Sequence, residues 1–290
     1  MIRAPRPTSA GSADTTAAPP GVRFRSDSGL AGAALERLRE GPQPASRLVR
    51  QVLGLRNASP QLAGRLMEAL LGQEPRATVG PGAVWRLREK GSLDRRRLDE
   101  LLFAVVDVET TGVAPARGGR VVEIGIVGMR GGEIVEEFSS LVNPGVEIPP
   151  WISRLTGIDT GMVADAPRFE EISEQVRGRL EGKIFVAHNA SYDWGFVAAE
   201  MRRARSLLAS GPRLCTIALA RRALPGLRRR GLDSLAEHLG IEIAGRHRAG
   251  GDALATALVL VRLLEEAERR GVARWGQLQG WLIGRRPGGG

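Results

Sequence analysis

Apolar residues fall along this chain in two rhythms. Between residues 30 and 71 they recur at helical spacing, and three short helices are expected. The first covers 30–39 with Leu35 and Leu38 apolar. The second covers 45–55 after Pro44, and the third covers 60–71 with Leu62, Leu66 and Leu70 at i, i+4 and i+8. Thr78, Val79, Val84 and Trp85 then flank Gly80-Pro81-Gly82, the pattern of two short strands around a turn. From Leu101 the rhythm changes. Residues 101–107 form a continuous Val-rich run, as in a strand buried on both faces. Strands at 121–130 and 133–142 follow, joined by Gly131-Gly132, a two-residue hairpin signal. A helix at 169–180, a buried strand at 183–187 and helices at 192–208, 214–223, 232–239 and 251–270 complete the pattern.

The expected fold class is therefore α/β: a mixed central sheet flanked by helices, preceded by a small N-terminal helical domain. Residues 1–29, rich in Ala, Pro, Gly, Ser and Thr without periodicity, read as disordered, and 285–290 repeat that composition. Residues 30–88 resemble a small winged-helix module, three helices and a two-stranded wing, a fold that often contacts nucleic acid. A helical adaptor packing on the following domain or on a partner protein is the alternative. Residues 89–100 are charged and read as a linker or short connecting helix, 101–270 as the main domain and 271–290 as a C-terminal tail.

Charge refines this division. The formal net charge is +10, but residues 101–270 balance 22 basic against 22 acidic side chains. Residues 1–100 hold 17 basic against 10 acidic, and 271–290 add three Arg. A basic N-terminal region is a candidate phosphate contact, with an Arg- and Ala-favouring genome as the bland explanation. Apolar runs such as 101–106 fall far short of the roughly 18–20 residues that span a bilayer, and the first residues lack a signal-peptide core. The single cysteine, Cys215, provides no disulfide framework and reads as an inert core thiol. These features lead to the expectation of a cytoplasmic protein with no membrane partner.

The acidic residues carry the candidate chemistry. Asp107 and Glu109 stand two apart at the carboxyl end of the apolar strand, so both project to one side, as a hard-oxygen cation site or as a plain surface pair of strand-end acids; the position favours the first. They precede Thr110-Thr111-Gly112, at the strand end where open α/β sheets place ligands. A second group, His188-Asn189-Ala190-Ser191-Tyr192-Asp193, runs from a strand into a helix. There Asp193 either joins the site or merely complements the helix dipole behind an Asn189 or Ser191 cap. In a third, His247-Arg248-Ala249-Gly250-Gly251-Asp252, Asp252 opens a helix and His247 lies five residues earlier. A lone histidine in a loop is usually just solvated, whereas one beside carboxylate-bound metal can take a proton from water at neutral pH.

In this order, Asp107-x-Glu109, Asp193, then His247 and Asp252, the chain resembles the histidine subclass of the DEDD 3′→5′ exonuclease superfamily. It is similar in wording to the epsilon proofreading subunit of bacterial DNA polymerase III. Val142-Asn143-Pro144-Gly145, Ile148-Pro149-Pro150, Leu155-Thr156-Gly157-Ile158 and Leu232-Asp233-Ser234-Leu235 extend the resemblance over about residues 101–268. The resemblance implies an RNase H-like exonuclease fold in which Asp107, Glu109, Asp193 and Asp252 hold two divalent cations, Mg2+ or Mn2+, about 4 Å apart. It implies that His247 deprotonates the attacking water and that 5′-mononucleotides leave from the 3′ end. Thr110, Thr111, Gly112 and Leu155 then contact the terminal nucleotide, with a core role open for Leu155 and Ile158. Phe196 and Trp194 read as interface residues before substrate contacts, and His188 as a supporting residue.

The chain departs from the family at Gly250-Gly251, where a bulky apolar residue is usual; two glycines loosen a helix start by roughly 1 kcal/mol each. DNA is placed ahead of RNA as substrate. An exoribonuclease of the same superfamily, or a nucleic-acid- or polymerase-binding module, is the alternative. Epsilon carries its partner-binding tail after the nuclease, whereas the extra module here precedes it. A stand-alone repair or degradation enzyme is therefore expected, with a polymerase or repair complex as the other candidate setting.

Overall fold

The computed structural model describes residues 21–284 apart from 27, 28, 40, 73, 75, 88–92 and 244. The expected disorder of residues 1–20 and 285–290 lies outside the described residues. Strand β1 (Arg23–Ser26) comes first, then a small module in the order α1 (Gly29–Arg39), β2 (Gln43–Pro44), α2 (Ala45–Leu53), α3 (Pro60–Leu71), β3 (Ala77–Gly80) and β4 (Val84–Leu87). Its sheet has the order β2-β4-β3, one strand more than the sequence suggests, because the two-residue β2 contains Pro44 and has no alternation to read. Leu38, Leu48, Val49, Met67, Leu71 and Trp85 close a separate core. Ser59 starts α3 by accepting a hydrogen bond from the Leu62 amide at 3.2 Å. Gly82, at φ 71°, supplies the left-handed residue that the β3–β4 turn needs.

The main sheet is built from β5 (Leu102–Thr110), β6 (Val121–Arg130), β7 (Glu133–Leu141), β8 (Ile184–Ala187) and β10 (Arg213–Cys215). Its order is β10-β8-β5-β6-β7, with β5 antiparallel to β6 and parallel to β8. The Gly131-Gly132 turn, both residues at positive φ, joins β6 to β7 as expected. Around the sheet lie α4 (Pro150–Thr156), α5 (Phe169–Leu180), α6 (Ala190–Arg205), α7 (Thr216–Ala223), α8 (Leu232–Leu239), α9 (Ala249–Arg269) and α10 (Trp275–Leu282).

Strand alternation divides β5 between two cores. Phe103 and Val105 face α9 with Leu260 and Leu263, whereas Ala104, Val106 and Val108 face α5 and α6 with Val176, Phe196 and Val197. Asp107 and Glu109 continue the α9-facing series beyond the apolar part.

Three parts of the expected division change. Residues 21–26, expected to be disordered, are a bound strand: β1 pairs antiparallel with β9 (Leu207–Ser210), and Val22 and Phe24 are buried in the α5–α6 core. Residues 93–100, expected as a linker, dock on the domain. Leu98 is buried, its amide bonds Ala273 O, and Arg96 O accepts from Trp275 N. Part of that linker, 89–92, lies outside the described residues. Residues 271–284 are not a tail, because α10 buries Trp275, Leu278 and Trp281 against the α9 core. The helix expected at 214–223 gives its first residues to β10, and the one expected at 192–208 starts earlier and yields its end to β9. No helix among the described residues is long and apolar enough to cross a membrane.

Candidate active site

The β5 register places Asp107 opposite Gly125 and Glu109 opposite Glu123 on β6. Gly125 is required there by contact with α9. A Cβ on it would lie 2.2 Å from Ala249 O and 2.7 Å from Gly250 N, so any side chain would push the start of α9 off the sheet. With that approach available, Asp252 in the first turn of α9 comes down beside the strand. Carboxylate oxygens of Asp107, Glu109 and Asp252 lie within 4.8 Å of one another.

Asp193 reaches the strand end from the α6 side. Its Oδ1 accepts from the Val108 amide at 3.3 Å, and its charge acts on Asp107. Neither alternative cap is made: Asn189 stands at φ 94° before α6 with no side-chain cap hydrogen bond. Asp193 thus engages both its own backbone amide in the first turn of α6 and, across the gap, the Val108 amide of β5.

Burial and mutual repulsion raise the proton affinity of these acids. Asp107 is held well above the ordinary carboxylate range, first by desolvation and then by Asp193, Asp252 and Glu109. Glu109 is pushed up to about 7 by burial, Asp252 and Glu123, and Asp193 to about 7 mainly by burial. Asp252 is raised by burial even though Arg246 opposes the rise. One oxygen of Asp252, Oδ1, is buried without a hydrogen-bond partner, whereas Oδ2 accepts from Arg246 Nη1 at 2.5 Å and from the His247 amide at 3.3 Å. A cluster of desolvated hard oxygens with one left unsatisfied fits a divalent cation.

His247 is half-buried at φ 60°, a left-handed conformation that a non-glycine residue keeps only when its surroundings impose it. They do so here from both sides. Arg246 grips Asp233 and Asp252, and Arg248 makes a bidentate pair with Glu123, whose Oε2 also accepts the Ala249 amide at 2.9 Å. Glu123 is buried and, opposite Glu109, tolerable only with this guanidinium beside it. The first of the two glycines after the histidine has a packing reason too, since a Cβ on Gly250 would meet Ser139 Cβ at 3.2 Å. Arg246, Arg248, Glu123 and Gly125 were not singled out from sequence. Only the Arg residues flanking His247 offered a signal.

The remaining candidates separate by exposure. Thr110 and Thr111 are buried, with their hydroxyls engaged by protein groups: Thr110 Oγ1 lies 2.7 Å from Tyr192 Oη, and Thr111 Oγ1 accepts from Arg120 N at 3.1 Å. Gly112 stands at φ 87° under the Trp151 ring, where a Cβ would come within 2.5 Å of that ring. Leu155 is 52% exposed and so is no core residue, whereas Ile158 is fully buried. Phe196 is buried and Trp194 packs edge-on to Phe185, so both belong to the helix–sheet interface. His188 supports α7 through Nδ1, 2.9 Å from Thr216 Oγ1. Cys215 is half-buried and free.

The mixed sheet, its flanking helices and the acidic cluster at the β5 end define an enzyme of the RNase H-like exonuclease class. Residues 104–260, more than half of the chain, match the family model described as Exonuclease (RNase T), and the chain belongs to that family. It is 37% identical over 164 residues to the DNA polymerase III subunit epsilon of Aquifex aeolicus, an alignment covering 57% of this chain and 81% of that protein. It is 40% identical over 164 residues to the 3′-5′ exonuclease DinG of Bacillus subtilis, covering 57% of this chain but 18% of DinG. Several curated relatives are thus much longer than the part this chain matches. Among solved structures, Escherichia coli exonuclease I in complex with a dT13 oligonucleotide shares the fold. It has a TM-score of 0.51 and 16% identity, covering 59% of this chain and 42% of that one.

Proposed function

We propose that the chain is a metal-dependent 3′→5′ exonuclease that removes 5′-mononucleotides from DNA. The observation that carries this reading is the convergence of Asp107, Glu109 and Asp252 within 4.8 Å, with Asp252 Oδ1 unsatisfied. Direction and substrate are supported by the relatives, one named a 3′-5′ exonuclease and one a DNA polymerase III subunit.

Asp107, Glu109, Asp193 and Asp252 hold the divalent ions, two of Mg2+ or Mn2+, on this reading. Such ions, when bound, acidify water and neutralise charge on the scissile phosphate. The protein contributes position: β5 presents two carboxylates on one face, α9 brings the third, and α6 brings the fourth from the other side. His247 takes the proton of the attacking water, its backbone fixed by the Asp252 contact and the flanking guanidinium pairs. With the Thr110 and Thr111 hydroxyls engaged, the terminal nucleotide meets backbone from Thr110 to Gly112 and the exposed side chain of Leu155. The N-terminal module serves as a nucleic-acid contact, supported by exposed Arg47 and Arg50 on α2, a helix without acidic residues. A polymerase or repair complex is the setting that the relatives' names favour.

The test is digestion of 5′-labelled single-stranded DNA and RNA of equal sequence by wild-type protein and by His247→Ala, with Mg2+, Mn2+ or EDTA. A metal-dependent ladder shortening from the 3′ end, faster on DNA and lost in the variant, is expected. Equal cleavage in EDTA, or full activity in His247→Ala, overturns the assignment.

A further inference from the structure

Asp233, in the first turn of α8, belongs to the Leu232-Asp233-Ser234-Leu235 motif, which the chemistry above leaves unused. Its carboxylate takes one edge of the Arg246 guanidinium, Nε to Oδ1 at 2.5 Å and Nη2 to Oδ2 at 3.2 Å. The other edge, through Nη1, lies 2.5 Å from Oδ2 of Asp252. One arginine therefore bridges an exposed acid, with a side chain 68% accessible, to a buried acid of the metal cluster at 5%. The bridge lies beside His247, whose own amide points to the same Asp252 oxygen.

We infer that Arg246 is a positioning residue that acts as a resident counter-cation of the cluster, neutralising Asp252 before metal enters and retreating onto Asp233 when a divalent ion takes over that carboxylate. The inference rests on the metal-site reading. Its physical basis is that Asp252 is too buried to be left with an uncompensated charge and that a guanidinium can keep one bidentate partner while releasing the other. Arg246 has a second partner outside the site, so releasing Asp252 leaves it paired rather than stranded. The same retreat keeps the backbone next to His247 tied to α8, so the loop need not relax when metal arrives.

Two substitutions then change metal affinity in opposite senses. Arg246→Gln removes the competitor and should tighten Mn2+ binding roughly threefold to tenfold, while lowering kcat because the His247 loop loses its α8 tether. Asp233→Asn removes the retreat and should weaken Mn2+ binding by a similar factor. In the double variant, Asp233→Asn should add less than about twofold to the effect of Arg246→Gln, because it acts only through the arginine.

The experiment is calorimetric titration of the full chain with Mn2+, alongside the rise in thermal midpoint per Mn2+ added, for wild type, both single variants and the double. Asp233 is mostly exposed, so its variant stays informative should Arg246→Gln fail to fold. Weaker Mn2+ binding in Arg246→Gln, or an unchanged affinity in Asp233→Asn, overturns the inference while leaving the metal site standing. Failure of wild-type protein to bind Mn2+ at all removes both.

Discussion

Glu109→Gln turns the electrostatics of the site into a stability measurement. In the folded, metal-free protein the Glu109 carboxyl is pushed up to about 7, against an ordinary value of 4.5. Because the folded state binds this proton more tightly than the unfolded chain, stability is full below about pH 4.5 and is lost as pH rises through 7. A displacement of that size corresponds to about 3.4 kcal/mol once both states are fully ionised. Relaxation of the half-buried group reduces the expected figure to about 2 kcal/mol. Glutamine has the same shape and no charge to desolvate. Urea denaturation in EDTA should therefore show the variant more stable than wild type by about 2 kcal/mol at pH 8, but by less than about 1 kcal/mol at pH 5. In Mn2+ the order should reverse, because the variant has lost a ligand. A stability difference that is the same at both pH values would refute the reasoning, since it would mean that Glu109 is not desolvated among like charges.

Asp107→Ala should abolish metal-dependent hydrolysis while leaving the fold intact, checked by circular dichroism beside the nuclease assay. Gly125→Ala should cost several kcal/mol and most of the activity together, because its methyl would stand 2.2 Å from Ala249 O and displace Asp252 with α9; thermal unfolding and kcat measure both. Trp275→Ala should lose roughly 3–5 kcal/mol in chemical denaturation, since α10 is packed as core. Replacing Arg47 and Arg50 by Glu should raise KM for single-stranded DNA several-fold at low salt with kcat little changed, an effect that shrinks as salt is added.

What could be read in the sequence follows from how local each signal is. The bounds of α3, β6, α5 and α8 match the periodicity, because each carries its own apolar pattern and a clear start or stop. Strands β1 and β9 carry no such pattern, since each is held by a partner more than 180 residues away. The last helix is only eight residues long and lies among glycines, so Trp275 and Trp281 fall inside the expected C-terminal tail although they are core. At the site, alternation on β5 was enough to pair Asp107 with Glu109, while the family wording brought in Asp193, His247 and Asp252. The Arg246–Asp233 and Arg248–Glu123 pairs were illegible because any of the many arginines could have served, and only the packing of α8 and β6 selects the partners. The Gly250-Gly251 departure, read as a loosening of the helix, is at Gly250 a fit to Ser139.

The central claim is that the Asp107–Glu109–Asp193–Asp252 cluster removes nucleotides from the 3′ end in a metal-dependent reaction. Its most direct test follows one DNA strand labelled at its 3′-terminal nucleotide and the same strand labelled at its 5′ end, in Mg2+ and in EDTA. Immediate release of the 3′ label as a 5′-mononucleotide is expected in Mg2+, with the 5′ label retained on progressively shorter strands and neither change in EDTA. Early release of the 5′ label, internal cutting, or cleavage that persists in EDTA would contradict it.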